Sequence, residues 1–458
     1  MIAATMRRAA RILAVSAAFA AGVAQAQPAD GYIDIWHRDT LTGNWGGVRD
    51  DLADKGVTVT ATYTAEVFGN VQGGIHRGAT YDGLFLPQLD ADLERLIGWT
   101  GGSFRASMVQ GHGPSLSGTM IGNLMIHSGT LAVPPATRLY NLWLQQNLFG
   151  DVLSIRAGMM NVDAEFMTSA TAGLFANTTF GWTAWTGFDL PAGGPAYPLS
   201  APGIRVRVRP NADGPYVMVA GFSGDPSGHN GSNSLSTGIP AGTVVSFTGG
   251  TFLIGEVGYA VNQAKDAKGR PLALKLGGWY HTSSRFGDQR YGTDGLSLAN
   301  PASNGRPLLH NGNWGVYGVA DVRLFDTEDG GAVSGFTRVG GSPSDRNLVS
   351  FYLDAGLAYQ GLIPTRDADT VGVSVAYTRI SDRARGLDRD VALFSNPANP
   401  ARTGEVVFEL TYQAQLTPWL TFQPDVQYIL NPGGTVLNAD GRPRRDAMAI
   451  GLRSAVTF

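Results

Sequence analysis

The stretch "LTPWLTFQPDVQYILNPGG", residues 416–434, keeps a strict two-residue beat. Leu420, Phe422, Val426 and Tyr428 fall on one parity; Thr421, Gln423, Asp425 and Gln427 fall on the other. Successive side chains of an extended strand point to opposite faces, so the segment is a ribbon with one oily and one polar face. A sandwich would turn the oily face to its core and the polar face to water. A membrane barrel would reverse this, with oil toward lipid and polar groups toward a wet lumen. The periodicity is the same in both, so the rest of the chain must decide.

The first 26 residues differ from everything after them. Arg7, Arg8 and Arg11 form a basic start, "ILAVSAAFAAGVA" is a short apolar run, and Ala24-Gln25-Ala26 supplies small residues before a cleavage point. The run is too short to span a bilayer and reads as an export signal cut before Gln27, not as a buried helix. Three arginines and no acids leave with it, so 31 basic groups face 37 acidic ones and the formal charge goes from −3 to −6. That slight acidity gives no reason to expect nucleic acid as a partner. The absence of cysteine removes thiol catalysis, zinc–thiolate sites and iron–sulfur clusters, and a chain of this size does not need disulfides. Beyond the signal no apolar run is long enough for a membrane helix, and helical periodicity is confined to "GVRDDLADKG" (47–56). With 62 glycines and only 16 % charged residues, the mature chain reads as strands and turns, too large for one sandwich.

Alternation bounded by turn signals predicts sixteen strands. They lie near 57–70, 82–95, 102–111, 138–148, 152–160, 198–209, 215–223, 249–261, 271–282, 313–324, 334–340, 349–360, 369–380, 404–415, 419–430 and 447–458. "FGD" (149–151), "PNADG" (210–214) and "LTP" (416–418) are tight turns, whereas 112–137, 161–197, 224–248, 283–312 and 381–403 are long and rich in glycine and asparagine. Short and long connections alternate, apart from brief ones near 71–81 and 341–348 where long ones fall due. A sandwich has no reason to sort its loops by parity; an outer-membrane barrel with an even strand count does. Charge parity agrees: Arg205 and Arg207 oppose Ile204, Val206 and Val208, and Glu409 opposes Phe408 and Leu410. A lipid-facing Arg or Lys at the bilayer midplane costs roughly 2–4 kcal/mol, so a barrel keeps charges off that face. The chain ends on Phe458 at the close of an alternating strand, as outer-membrane barrels do. The expected fold is an all-β transmembrane antiparallel barrel of sixteen strands. Residues 1–26 are the cleaved signal, 27–56 a periplasmic segment with a short helix that Val48 and Leu52 help to dock, and 57–458 the barrel. Pro424 sits inside the strand first quoted and cannot donate to a ladder; a bulge near the periplasmic end is expected to absorb it.

Five blocks, in order, resemble the carbohydrate-selective porin family of Gram-negative bacteria, the OprB-type porins. They are "GNWGGVRDDLADKGVTV" (43–59), "LDADLERLIGWTGGSF" (89–104), "RLYNLWLQQNLFGDVLSIRAG" (138–158), "AGLAYQGLIPTRDADTVGVSVAYTRIS" (355–381) and "QPDVQYILNPGG" (423–434). The resemblance implies passive, carbohydrate-selective diffusion across the outer membrane, with mono- or oligosaccharides as permeants. It further implies outer-membrane lipid around the barrel, the barrel-assembly machinery reading Phe458, and a homo-oligomer as one possible state. It calls for no cofactor, metal or catalytic residue.

A sugar offers hydroxyls all round and weakly apolar ring faces, so a selective pore needs fixed donors, acceptors and aromatic surface. Turning the oily parity outward places Asp90, Asp92, Arg105, Asn141, Trp143, Arg156, Arg205, Arg207, Asp321, Arg323, Glu409 and Arg453 inward, together with Glu66, Gln145, Asp354 and Asp425. Arg205 and Arg207 are the expected pore cations and Asp90 and Asp92 the expected acceptors; the competing role for any of them is a salt bridge that stiffens the wall. The segment 161–197 is the candidate constriction loop, with Asp163, Glu165, Trp182, Trp185 and Asp189 narrowing the mouth. For the two tryptophans the competing role is loop packing or an interfacial girdle. Three rival readings stand beside this one. The first is a general diffusion or anion-selective porin; an anion filter should show a ring of Lys or Arg with few acids nearby, whereas acids and bases are interleaved here. A barrel enzyme would need a Ser/His/acid arrangement, for which the adjacent pairs His127-Ser128 and His281-Thr282-Ser283 are poor material. The third is a barrel plugged by its own loops.

Overall fold

The structure is a computed structural model that describes residues 34–130, 136–227, 243, 245–264 and 267–458. The expected export signal lies outside the described residues. Among the described residues eighteen strands follow in order: β1 (Val57–Gly74), β2 (Gly78–Asp92), β3 (Gly102–His112), β4 (Ala136–Leu148), β5 (Leu153–Met160), β6 (Ala201–Val208), β7 (Gly214–Ser223), β8 (Thr251–Val261) and β9 (Leu272–His281), then β10 (Phe286–Gly292), β11 (Pro307–His310), β12 (Asn313–Asp326), β13 (Ala332–Gly341), β14 (Val349–Gln360), β15 (Thr370–Ile380), β16 (Gly404–Thr417), β17 (Leu420–Leu430) and β18 (Arg445–Thr457). Sixteen of them close into one antiparallel barrel in which each strand pairs with its chain neighbours and β1 pairs with β18. The remaining two, β10 and β11, form a separate hairpin between β9 and β12.

The opening ambiguity is settled by which face is buried. In β17, Gln423, Asp425 and Gln427 are at most 2 % exposed, while Tyr428 on the opposite parity is 37 % exposed. A polar face inside and an oily face outside is the membrane solution. The same inversion runs round the barrel: Val67, Val219, Leu276, Val373 and Leu410 are exposed, and their neighbours Glu66, Met218, Lys275, Ser374 and Glu409 face in. Connections sort by length as expected. The chain needs few residues at 149–152, 209–213 and 418–419, and many at 113–135, 161–200, 224–250, 282–312 and 381–403.

Pro424 is accommodated differently from the expectation. The β16–β17 register passes it unshifted, with Thr411 opposite Asp425 and Ala414 opposite Phe422, and the rungs between these pairs are missing. The ladder is opened locally instead of bulged, because the missing N–H needs only a missing acceptor, not an extra residue. Pro87 in β2 does the same against β3, between the pairs Phe85–Gln110 and Gln88–Ser107.

Two elements lie where only loop was expected. The helix Asp382–Phe394 buries Ala384, Gly386, Asp388 and Asp390, so its inward face is small and acidic and carries no apolar period. Ion pairs hold it, Asp388 to Arg402 and Asp390 to Arg290. The hairpin β10–β11 packs beside it. At the opposite end of the barrel, the helix Val48–Asp54 is attached by Arg49, whose guanidinium donates to the carbonyls of Gly43 and Phe458. Val48, expected to dock this helix, is 52 % exposed.

Candidate functional site

Two loops fold into the lumen, and the inward charges explain how. The segment 161–200 contains short helical turns and the helix Ala184–Asp189, with Phe166, Phe175, Phe180 and Trp185 buried against the wall. Its backbone groups cannot reach water there, so they need partners on the barrel. Glu409 accepts from the N–H of Ala176 (2.5 Å) and of Asn177 (3.1 Å). Glu256 accepts from Met167 N–H (3.0 Å) and from the hydroxyls of Tyr216 and Tyr317. Asp321 accepts from Thr171 N–H, Thr171 Oγ1 and Ser169 Oγ. Arg338, paired with the buried Asp354 at 2.5 Å, donates to the carbonyls of Thr179 and Gly181. The second loop, 113–130, is held by Glu405, which accepts from the N–H groups of Leu124 and Met125 at 2.7 Å, and by Arg453, which donates to Ser128 Oγ and reaches Ala176 O of the first loop.

One wall of the lumen, formed by β2 to β6, keeps partly exposed charges. Arg105 Nε donates to Asp90 at 2.6 Å. Trp143 lies between Arg105 and Arg156, whose guanidinium carbons stand 5.3 and 4.0 Å from ring centroids, the range of a cation–π contact. Glu165 reaches across from the loop to Arg205 (2.8 and 3.0 Å) and Arg156 (3.4 Å). Burial pushes the Glu165 carboxyl up, but Arg156 and Arg205 outweigh it and hold it down at about 2. Elsewhere in the loop burial wins: Asp163 is raised although Asn161 and Tyr197 N–H donate to it, and Asp189 is raised well above the ordinary carboxylate range despite donors from Ser342 Oγ and Val349 N–H.

Several expected roles change with this geometry. Arg205, 1 % exposed, uses every guanidinium nitrogen on Glu165, Ser154 and Gln145, so no donor is left for a permeant. Arg207, two residues on, is only partly buried and stays on the lumen side near Glu165. Asp92 is not in the pore wall: it caps the helix Leu93–Ile97 in the β2–β3 turn, accepting from the N–H groups of Glu94 and Arg95. Arg323 sits at the end of β12 and pairs with Asp326. Asp321, Glu409 and Arg453 anchor loops, and Asn141 is buried against Ser107 Oγ at 3.2 Å. Trp143 is buried and shows no ring face to the lumen. Trp182 donates to Gly193 O within the loop, and Trp185 is fully buried beside Trp279, in a slot where a Cβ on Gly315 or Gly340 would collide with it. Sequence reasoning missed Glu256, Lys275, Arg338 and Glu405. Their parity carried a signal, since Val257, Leu276, Val339 and Val406 follow them on the opposite face, but parity does not say which charges serve a loop.

A family model described as carbohydrate-selective porin, OprB family, matches residues 76–458. The chain belongs to that family. It is an outer-membrane β-barrel porin of the carbohydrate-selective class. This porin is similar to Porin B of Pseudomonas aeruginosa, 26 % identical over 417 residues that cover 86 % of this chain and 87 % of the relative. It also resembles the putative porin QuiX of Acinetobacter baylyi, at 22 % identity over 461 residues covering 93 % and 95 % of the two chains. Among solved structures, the high-pH structure of Pseudomonas putida OprB matches this porin with a TM-score of 0.81 at 25 % identity, covering 92 % of this chain and 99 % of that one.

Proposed function

We propose that sugars cross this porin passively, with no chemical step, along the wall that carries Asp90, Arg105, Arg156, Glu165 and Arg207. The observation that carries this reading is the partial exposure of these charges, mixed in sign, with Asp90 paired to Arg105 and Glu165 to Arg156. Forked Arg donors and carboxylate acceptors match vicinal hydroxyls, and balanced signs leave a weak ion field. Binding must be loose, because conduction requires easy exit; a millimolar dissociation constant, about 4 kcal/mol, suits that need. Residues 1–26 are inferred to be cleaved before Gln27 and residues 27–56 to stay periplasmic. Phe458 is inferred to be read by the assembly machinery, and homo-oligomers are inferred to form in the membrane.

An enzymatic reading finds little support. Ser117 Oγ and His127 Nδ1 are 3.1 Å apart, yet both residues are buried, and Ser117 Oγ also accepts from His127 N–H. A substrate carbonyl has no approach to such a hydroxyl. The test is single-channel conductance in a planar bilayer with glucose titrated in. Current should fall saturably with a millimolar midpoint, and Arg207→Ala should shift that midpoint several-fold while the barrel still assembles. Current indifferent to glucose beyond the viscosity effect would replace sugar selectivity with general diffusion.

A further inference from the structure

We propose that Glu66, Asp82 and His127 form a binding site for one divalent transition-metal ion, with Zn²⁺ the best fit, and that this ion pins the loop 113–130 to the barrel wall. The β1–β2 register sets Glu66 directly opposite Asp82 on the lumen face, and the loop brings His127 over the pair. Each residue can offer a donor atom such that all three lie within 4.8 Å of one another. Exposure is 1 %, 1 % and 0 %, so bulk water does not reach these groups.

Their remaining contacts decide the chemistry. Glu66 Oε1 is used, by Thr130 Oγ1 at 2.7 Å and by Arg453 Nε, whereas Glu66 Oε2 has no hydrogen bond. Asp82 Oδ1 and His127 Nε2 are likewise buried without a donor, and the Glu66 and Asp82 carboxyls stand close enough to share a proton where no ion is bound. The His127 ring is fixed by Phe68, edge-on at 5.1 Å, and by Ser117 Oγ on Nδ1, a partner of the kind that orients a ligating imidazole and leaves the other nitrogen free. Buried polar atoms left without partners are unfavourable, and two facing carboxylates repel. One divalent cation answers all three. Two carboxylate oxygens and an imidazole nitrogen suit zinc, with a fourth position for water, and the ligands would draw in to bond lengths of about 2.0–2.2 Å. Calcium and magnesium prefer all-oxygen shells with more ligands, and no thiolate is present to select a softer ion.

The test uses tag-free protein extracted into detergent without chelator. Mass spectrometry should find zinc near one ion per chain. After chelation, calorimetric titration with Zn²⁺ should show one site, weakened at least about ten-fold by Asp82→Asn and by His127→Gln, with circular dichroism of the barrel unchanged. If His127→Gln fails to fold, Asp82→Asn alone carries the comparison. Metal-free protein with no Zn²⁺ site would overturn the proposal and leave a proton shared between Glu66 and Asp82. Undiminished zinc binding by a folded variant would overturn it as well, and so would a site that takes Ca²⁺ in preference.

Discussion

Arg205 and Arg207 stand two residues apart on one face of β6, and parity treats them alike. What separates them is the number of acceptors within reach: Arg205 is saturated by Glu165, Ser154 and Gln145, while Arg207 keeps an unpaired Nε. The first is a fastening, and the second is the one proposed above as a pore cation. Arg338 is a fastening of a deeper kind, since both it and Asp354 are almost wholly buried. Removing one partner of such a pair strands the other charge. We expect Arg338→Ala to destabilise the porin by about 3–5 kcal/mol, and the double change Arg338→Met/Asp354→Leu to restore much of the loss. Urea titration of the lipid-embedded barrel measures both. A single variant as stable as the parent would show that the pair does not hold the loop.

At the scale of the element, the loop 161–200 behaves as a core supplied from outside the strands. Glu165 ties it to β5 and β6, and the pH response of that tie follows from its carboxyl, held at about 2 against an ordinary 4.5. A carboxyl depressed on folding stabilises fully above its ordinary value and loses that stabilisation as pH falls toward its folded one. The tie should therefore be constant from neutrality to pH 4.5 and weaken only between 4.5 and about 2. Open-channel noise compared between the parent and Glu165→Gln reads this, and a difference that varies between pH 7 and 5 would contradict it. The strands were legible because period two survives burial and exposure alike; even the interruption at Pro424 left the register intact. The inserted loop was legible in position and in Glu165, but not in its packing: Trp185 slots against Gly315 and Gly340, residues on different strands that no local pattern links to it. The helix Asp382–Phe394 was invisible for a related reason, because its buried face is bound by charge and not by oil.

Across the whole molecule, one strand step separates two solvents. Lys275 points inward and donates to Thr168 O at 2.8 Å; Leu276, 65 % exposed, points to lipid between Val257 and Gly318. Leu276→Arg should cost about 2–4 kcal/mol if the residue lies at midplane depth, and far less where the bilayer thins toward its interfaces. Lys275→Arg should cost little. Urea midpoints in lipid compare the two, and equal losses would mean that the faces are assigned wrongly. The closing of β18 on β1 joins partners far apart in the chain: Glu66 and Arg453 meet across that junction, 387 residues apart, and Arg453 also receives Ser128 and Ala176 from the two inserted loops. Part of the berth in which those loops rest therefore does not exist until the final strand arrives. Closing the ring also completes the seat of its contents, since Arg453 meets Glu66 and both loops only where β18 lies against β1.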